Sequence, residues 1–220
     1  MAKYKSMVTG LGRLGPYPYL TQPDFGFGEF KQARGKYKCT LDLDADDPKC
    51  VQMMEEIKEL HDANYQEILG AFKKKGGRGK APKQADLPYF ENGDGTVTFK
   101  FNSWASYVSR TTNENIKLEL PVRDKDGKPF PEAPRLYEGS EVRIKFNLVP
   151  YGNTTIDSGV KLQLQMVRVY SIAEFGGDDD WGDDADQFEL SADNYKAPKK
   201  QVVEEPQEEY VEEDFDNVDF

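Results

Sequence analysis

The sequence contains few of the residues on which most catalytic and metal sites depend. Its 220 residues include one histidine, two cysteines and two tryptophans. One histidine and two cysteines cannot form a zinc site of the usual four-ligand kind. No run of about 18 apolar residues is present, which excludes a membrane-spanning helix, and the amino terminus MAKYKSMVTG lacks the apolar stretch of a secretion signal. We therefore expect a soluble intracellular protein that is not an enzyme.

The few candidate chemical groups have simpler structural explanations. Cys39 and Cys50 are too few for the disulfide framework of a secreted scaffold, so we expect two reduced thiols, with Cys39 in the core. His61 lies on the apolar side of a helical pattern and is expected to pack there. GRGKAP and FGFGEF do not have the spacing or the preceding strand that phosphate-binding loops require.

Charge divides the chain into two parts. Residues 178–220 contain 17 acidic and three basic residues, a net charge of −14. Residues 1–177 contain 26 basic and 23 acidic residues, a net charge of +3. The sequence pI of about 4.7 therefore reflects the carboxyl-terminal segment. We expect a folded domain over 1–177 and a disordered acidic tail over 178–220.

The first 80 residues predict an irregular arm, a strand and a helix. The first thirty are rich in Gly, Pro and aromatic residues and indicate the arm. KYKCTLDL then alternates, with Tyr37, Cys39, Leu41 and Leu43 on one face of a strand. Asp46 or Asp47 can cap the helix that follows, and Pro48 suits its first turn. Its expected apolar face comprises Val51, Met54, Ile57, His61, Tyr65, Ile68 and Phe72.

The remainder of the folded part predicts strands joined by turns. NGDG at 92–95 indicates a hairpin, and VTFKF places Val97, Phe99 and Phe101 inward. IKLELPV, EVRIKFNLVPY and GVKLQLQMVRVY also alternate. About five strands and one inserted helix fit a small closed barrel, because closure removes the exposed edges of a sheet.

Cations and aromatic rings accumulate on the outward faces of these strands. Alternation points Lys36, Lys38, Lys100, Arg143, Lys145 and Lys161 away from the core, and it places Trp104, Tyr107 and Tyr151 near strand ends. Cations that follow a phosphate backbone and rings on which bases stack are the components of a groove for single-stranded nucleic acid. A single outward lysine is usually only a solvated lysine, so the prediction depends on the whole set.

Several segments, in order along the chain, resemble one family. They are PYPYLTQPDFG, ARGKYK, the helix after DPKC, LPYFENGDGTVTFKF, KFNLVPY, GVKLQLQMV, EFGGDDDW and an acidic end closing on Asp219 and Phe220. Together they resemble the single-stranded-DNA-binding protein of podovirus-type (T-odd) bacteriophages. The resemblance implies an OB-fold barrel with one packed helix, which binds single-stranded DNA during replication, recombination and repair in the cytoplasm of the infected bacterial host.

The resemblance also implies site residues and partners, and no metal or other cofactor. It implies DNA contacts at Lys3, Arg34, Arg78, Lys100, Lys145 and Tyr151. The strand pattern adds Lys36, Trp104 and Tyr107 as candidate DNA contacts. Asp219 and Phe220 are expected to bind partner proteins, namely the replicative DNA polymerase and the helicase-primase, and a homodimer is expected.

The acidic segment has two further interpretations. It keeps Trp181, Phe188, Tyr195, Tyr210, Phe215 and Phe220, and acid interleaved with aromatic residues is typical of a docking peptide, whereas a plain solvating tail does not need them. We also expect it to compete with DNA for the groove.

The alternative from another functional class is an acidic-tailed chaperone or assembly factor that binds basic proteins, and a small nuclease is a less favoured one.

Overall fold

The structure, a computed structural model, describes residues 4–77, 79–132, 134–153 and 155–173. All of them belong to one compact unit. The elements of these residues, in chain order, are β1 (Lys5–Val8), β2 (Gly12–Leu14), β3 (Tyr19–Asp24), a 3-10 turn (Gly28–Phe30), β4 (Lys36–Asp44), α1 (Pro48–Lys74), β5 (Tyr89–Glu91), β6 (Thr96–Trp104), β7 (Ser106–Val108), β8 (Asn115–Lys117), β9 (Val122–Arg123), β10 (Glu141–Tyr151) and β11 (Gly159–Ser171). The predicted tail over 178–220 lies outside the described residues.

Five of these strands close into a barrel. The order of pairing is β2–β4–β6–β11–β10, and β10 pairs again with β2. Strands β1 and β2 both pair with β10, β1 at residues 145–148 and β2 at residues 141–142. Closure leaves none of these five strands with a long unpaired edge. The predicted mainly β, five-stranded OB-fold barrel with one helix is confirmed.

The barrel interior is filled by the apolar side chains that alternation predicts. Fully buried side chains include Leu41, Phe99, Phe101, Phe146 and Leu162. The rings of Phe101 and Phe146 meet edge to face at 5.1 Å between centroids, a favoured aromatic geometry. Most residues that alternate with these buried side chains along β4, β6, β10 and β11 face outward and form the outer surface of the barrel.

The prediction of an irregular arm over the first thirty residues is wrong, because this segment contains β1, β2 and β3. Leu14 and Leu20 are both 1% exposed and belong to the core. A Cβ at Gly12 would lie 2.6 Å from the Asp42 carbonyl oxygen, so glycine permits the close approach of β2 to β4. The strands are short and lie between residues rich in Gly and Pro, which hides their pattern in the sequence.

Helix α1 begins as predicted but turns a different face to the barrel. The Asp47 carboxylate accepts from the Lys49 backbone N–H at 2.7 Å, and Pro48 is the first helical residue. The buried stripe is Cys50, Met53, Ile57 and His61, whereas Val51 is 39% exposed. The prediction is therefore wrong at Val51 and right at Ile57 and His61. No helix in the described ranges is long and apolar enough to cross a membrane.

The predicted hairpin and late strands are present with one exception. NGDG joins β5 to β6, and Gly93 and Gly95 have φ angles of +78° and +88°, the region that glycine adopts readily. Strands β10 and β11 match the predicted runs, but IKLELPV is only partly extended: Asn115–Lys117 pairs with β7 and Val122–Arg123 with β11.

Candidate nucleic-acid interface

The outer face of β4 and β6 brings three of the predicted site residues onto one surface. The register places Lys36 directly opposite Trp104, and Thr40 opposite Lys100. Residues that face each other across an antiparallel pair project on the same side of the sheet. Lys36, Lys100 and Trp104 therefore share the outer face, and none of them is buried.

Arg34 joins this surface from the residues that precede β4. Its Nε donates to the Ser106 carbonyl oxygen at 2.9 Å, and the Ser106 hydroxyl donates to the Arg34 carbonyl oxygen at 3.0 Å. These reciprocal bonds hold Arg34 beside the start of β7, although the two residues are 72 positions apart in sequence.

Two cations lie against the Trp104 ring. The Arg34 guanidinium carbon is 4.4 Å from the ring centroid, and Lys36 Nζ is 5.0 Å from it. Both distances are within the range of a cation–π interaction. We call Arg34, Lys36, Lys100, Trp104 and Tyr107 the β4–β6 face. Its charge and its flat ring are adjacent, which is the combination that a phosphate and a neighbouring base require.

Tyr107 extends this face into an open pocket. The pocket is about 500 Å³ and is lined by Arg34, Tyr107, Val108 and Arg110, and Tyr107 is 41% exposed. Arg110 was not predicted from the sequence, since it lies beyond β7 outside any alternating run. A second groove of about 180 Å³ runs from Trp104 to Gln163 and Gln165 on β11.

Lys100 and the neighbouring Lys38 also lie against aromatic rings, and neither ring was predicted as part of the site. Lys100 Nζ is 5.1 Å from the Phe90 centroid, and Lys38 Nζ is 5.0 Å from the Tyr19 centroid. Lys38 also pairs with Asp24 at 2.6 Å. The hydrogen bond from Lys38, with one from the Gly26 backbone N–H, lowers the pKa of Asp24. Tyr19 lies on β3, where only Leu20 is buried and the sequence shows no alternation that would mark a strand.

Lys145 and Tyr151 lie elsewhere, on β10, which is separated from β6 by β11. Both are exposed. The Tyr151 ring covers its cross-strand partner Gly159, where a Cβ would lie 2.5 Å from the Tyr151 hydroxyl oxygen. Asn64 of α1 donates to the Tyr151 carbonyl oxygen at 2.8 Å. The structure thus does not bring these two residues into the β4–β6 face.

Four predicted site residues, Lys3, Arg78, Asp219 and Phe220, lie outside the described residues.

The remaining reactive groups of the described segments are packed in the core. No group of three or more His, Cys, Asp and Glu side chains is placed to hold a metal ion there. His61 is 3% exposed, and its Nδ1 is 2.8 Å from Gln84 Nε2. Cys39 and Cys50 are free and buried. Burial raises the pKa of both thiols, that of Cys50 to about 11, so both stay protonated at neutral pH.

Comparison with known proteins identifies the family. Residues 11–172 match the family model described as "Single-stranded DNA-binding protein, Bacteriophage T7". The chain belongs to this family. Members of the family are binding proteins and not enzymes, which confirms the expectation that the chain has no enzymatic role and confirms the resemblance noted in the sequence.

Individual relatives agree over most of the chain. The single-stranded DNA-binding protein of Enterobacteria phage T3 is 36% identical over 98% of this chain and 100% of its own length. That of Escherichia phage T7 is 38% identical over 85% of this chain and 84% of its own length. The crystal structure of gp2.5, a single-stranded DNA binding protein encoded by bacteriophage T7, superposes with a TM-score of 0.71 at 37% identity, covering 81% of this chain and 98% of that one.

Proposed function

We propose that this protein binds single-stranded DNA on the β4–β6 face. The observation that carries the proposal is the placement of Arg34 and Lys36 against Trp104, next to the exposed Tyr107 ring. Bases stack on the rings and phosphates pair with the cations, so the recognition depends little on sequence. Lys100 extends the line of cations along β6.

The other site residues extend this proposal along the chain. Lys145 and Tyr151 offer a cation and an exposed ring on β10. Lys3 and Arg78 are included on the strength of the family motifs in which they stand. Each of the four is proposed to contact DNA, and Lys145 and Tyr151 do so outside the β4–β6 face.

The biological role that we propose is protection of single-stranded DNA during phage DNA replication, recombination and repair, in the cytoplasm of the infected bacterial host. The names of the T3 and T7 relatives support this role, because both are phage proteins that bind single-stranded DNA. No cofactor takes part, since stacking and ion pairing to phosphate need none.

We also propose that the acidic segment regulates binding and recruits partners. Its net charge of −14 makes it a competitor of DNA for cationic surfaces. Asp219 and Phe220 at its end are proposed to dock the replicative DNA polymerase and the helicase-primase, and two chains are proposed to form a homodimer. Light scattering of the purified chain tests the dimer, and a mass of one chain would reject it.

A salt titration of oligo-dT binding tests the main function. Affinity for oligo-dT should exceed that for a duplex of equal length, and the logarithm of affinity should fall with the logarithm of salt by about 0.7 per phosphate neutralised. A chain that ends at residue 177 should bind more tightly at low salt. Binding of basic proteins without any affinity for oligo-dT would favour the chaperone alternative and reject the proposal.

Deletion of Phe220 alone tests the recruiting role of the tail. We expect oligo-dT binding to stay nearly unchanged, because one uncharged side chain is removed, while binding to the polymerase or helicase-primase weakens. Equal partner binding with and without Phe220 would show that the terminal residue does not dock them.

A further inference from the structure

A second group of cations surrounds a pocket on the outside of β10 and β11. The pocket is about 170 Å³, and we call its lining the β10–β11 patch, which comprises Val8, Arg143, Lys145, Met166, Arg168 and Tyr170. The register explains the grouping: Val8 and Met166 lie opposite Lys145 on either side, and Arg143 lies opposite Arg168. Of these residues, Lys145 is one of the proposed DNA contacts, and Arg143 is one of the outward cations noted in the sequence.

The arrangement of arginines around this patch is electrostatically unfavourable in the protein alone. Arg168 lies directly opposite Arg143 on β10 and Arg123 on β9, so three arginines form one row across three strands. Like charges directly opposite each other destabilise a sheet. A row of this kind is stabilised when an anion binds to it.

The described residues supply no carboxylate to neutralise this row. None of its three arginines forms a salt bridge with a described residue. Glu141 lies two residues before Arg143 on β10, but its Oε1 is 4.0 Å from Arg13 Nε instead. The row is thus not ion-paired within the described residues, and Arg168 is exposed whereas Arg123 and Arg143 are half-buried.

The patch combines this charge with an aromatic ring. The Arg143 guanidinium carbon is 5.3 Å from the Tyr170 centroid, and Arg143 Nε is buried without a hydrogen-bond partner among the described residues. Tyr170 is 36% exposed and Val8 is 46% exposed. A guanidinium fork binds phosphate in two places at once, and an exposed ring with apolar neighbours accepts a base. A nucleotide fits this chemistry better than a free inorganic anion does.

The patch is continuous with the β4–β6 face along β11. The groove beside Trp104 is also lined by Gln163 and Gln165 of that strand. The β10–β11 register shifts after Gln163, where Phe146 lies opposite Leu164 and Lys145 opposite Met166. Beyond this shift, Arg168 and Tyr170 of β11 face outward. Gln163 and Arg168 are five positions apart along β11, which is roughly 16 Å. A strand that leaves Trp104 can thus reach the arginines across one surface.

We propose that the β10–β11 patch is a second subsite for the same single strand, with Arg143 and Arg168 binding phosphate and Tyr170 stacking on a base. This inference rests on the DNA-binding function proposed above. It predicts that the protein covers a longer stretch of DNA than the β4–β6 face alone, so short oligonucleotides do not use the patch.

The test compares two oligonucleotide lengths in the full-length protein. The variant is Arg143→Gln with Arg168→Gln, and the charge-matched control is Lys49→Gln with Lys58→Gln on the exposed side of α1. The lengths are about 6 and about 20 nucleotides of oligo-dT, which lie near the lower end and above the upper end of the usual range of about 4–16 nucleotides for an OB-fold. The affinity of each is measured across a salt series, and thermal unfolding checks that the variants are folded.

We expect the arginine variant to bind the longer oligonucleotide about 5- to 10-fold more weakly. Its salt dependence should fall by roughly 1.4, or about 0.7 for each of two lost phosphate contacts. Binding of the shorter oligonucleotide, and binding of both by the control, should match the unchanged protein. If the double variant does not fold, Arg168→Gln alone should lower the salt dependence by about 0.7.

Three outcomes would overturn the inference. Equal weakening of both lengths, or equal weakening by the control, would mean general electrostatics. Unchanged binding of the longer oligonucleotide would mean that the patch does not touch DNA. Stronger binding by the arginine variant would mean that the patch holds the protein's own acidic segment. Failure of the unaltered protein to bind either length would instead reject the proposed function itself.

Discussion

Replacement of Trp104 by alanine tests whether bases stack on the β4–β6 face. The ring is half-buried, lines the groove toward β11 and has two cations within 5.0 Å of its centroid. Stacking on an aromatic side chain contributes about 1–3 kcal/mol per base. Loss of one stacked base should therefore weaken oligo-dT binding by about 5- to 150-fold.

The salt dependence separates stacking from phosphate contact. Trp104 carries no charge, so Trp104→Ala should lower the affinity without changing the slope of log affinity against log salt. Lys36→Gln should lower the same slope by about 0.7. Trp104→Phe keeps a ring and should recover most of the affinity.

The assay can also observe the ring directly. The protein contains two tryptophans, at positions 104 and 181, so a Trp181→Phe chain reports the fluorescence of Trp104 alone. Oligo-dT should quench this signal in proportion to binding. Unchanged affinity in a folded Trp104→Ala chain, or no quenching in the Trp181→Phe chain, would refute the stacking role.

Two further outcomes follow from ion pairing and from packing. Asp24→Asn should strengthen oligo-dT binding roughly 2- to 5-fold by releasing Lys38. The pKa of Asp24 is lowered, so its carboxylate is ionised between about pH 5 and 8. The ratio of the variant's affinity to that of the unchanged protein should therefore stay constant over this pH range. A ratio of one would show that Lys38 is not a DNA contact. Gly12→Ala should destabilise the barrel by about 1–3 kcal/mol, since its Cβ meets the Asp42 carbonyl oxygen. Gly70→Ala, with open space around it in α1, should stabilise by about 0.5–1 kcal/mol; denaturant unfolding of both variants measures the contrast.

Alternation predicted the long strands because each has one buried face. In β4, β10 and β11 the inward residues are large and apolar and the outward residues are polar, so period two is visible in the sequence. The short strands β2 and β3 carry only Leu14 and Leu20 as deeply buried side chains. One apolar residue per strand defines no period, which explains why the arm was predicted as irregular.

The buried face of α1 and the contacts within the candidate site could not be predicted from the sequence for a different reason. Val51 and Cys50 differ by one position, and only the packing of α1 against the barrel decides which is buried. The approach of Arg34 to Trp104 depends on the register of β4 against β6 and on the bonds to Ser106. The local pattern of a sequence does not show which distant segments pair. The residue types of the candidate site could therefore be predicted, but not which of these residues contact each other.

Closure of the barrel by its first strand has a consequence for synthesis. Lys5 pairs with Leu148, and Gly12 pairs with Val142, so residues 5–14 leave the ribosome about 130 positions before the strand with which they pair. At the usual rates of about 5–20 residues per second this delay is on the order of ten seconds. Strands β4 and β6 and helix α1 all precede β10 in the sequence. The strands of the β4–β6 face are thus synthesised before the strand that closes the barrel, and closure needs contacts between residues far apart in sequence, which form slowly.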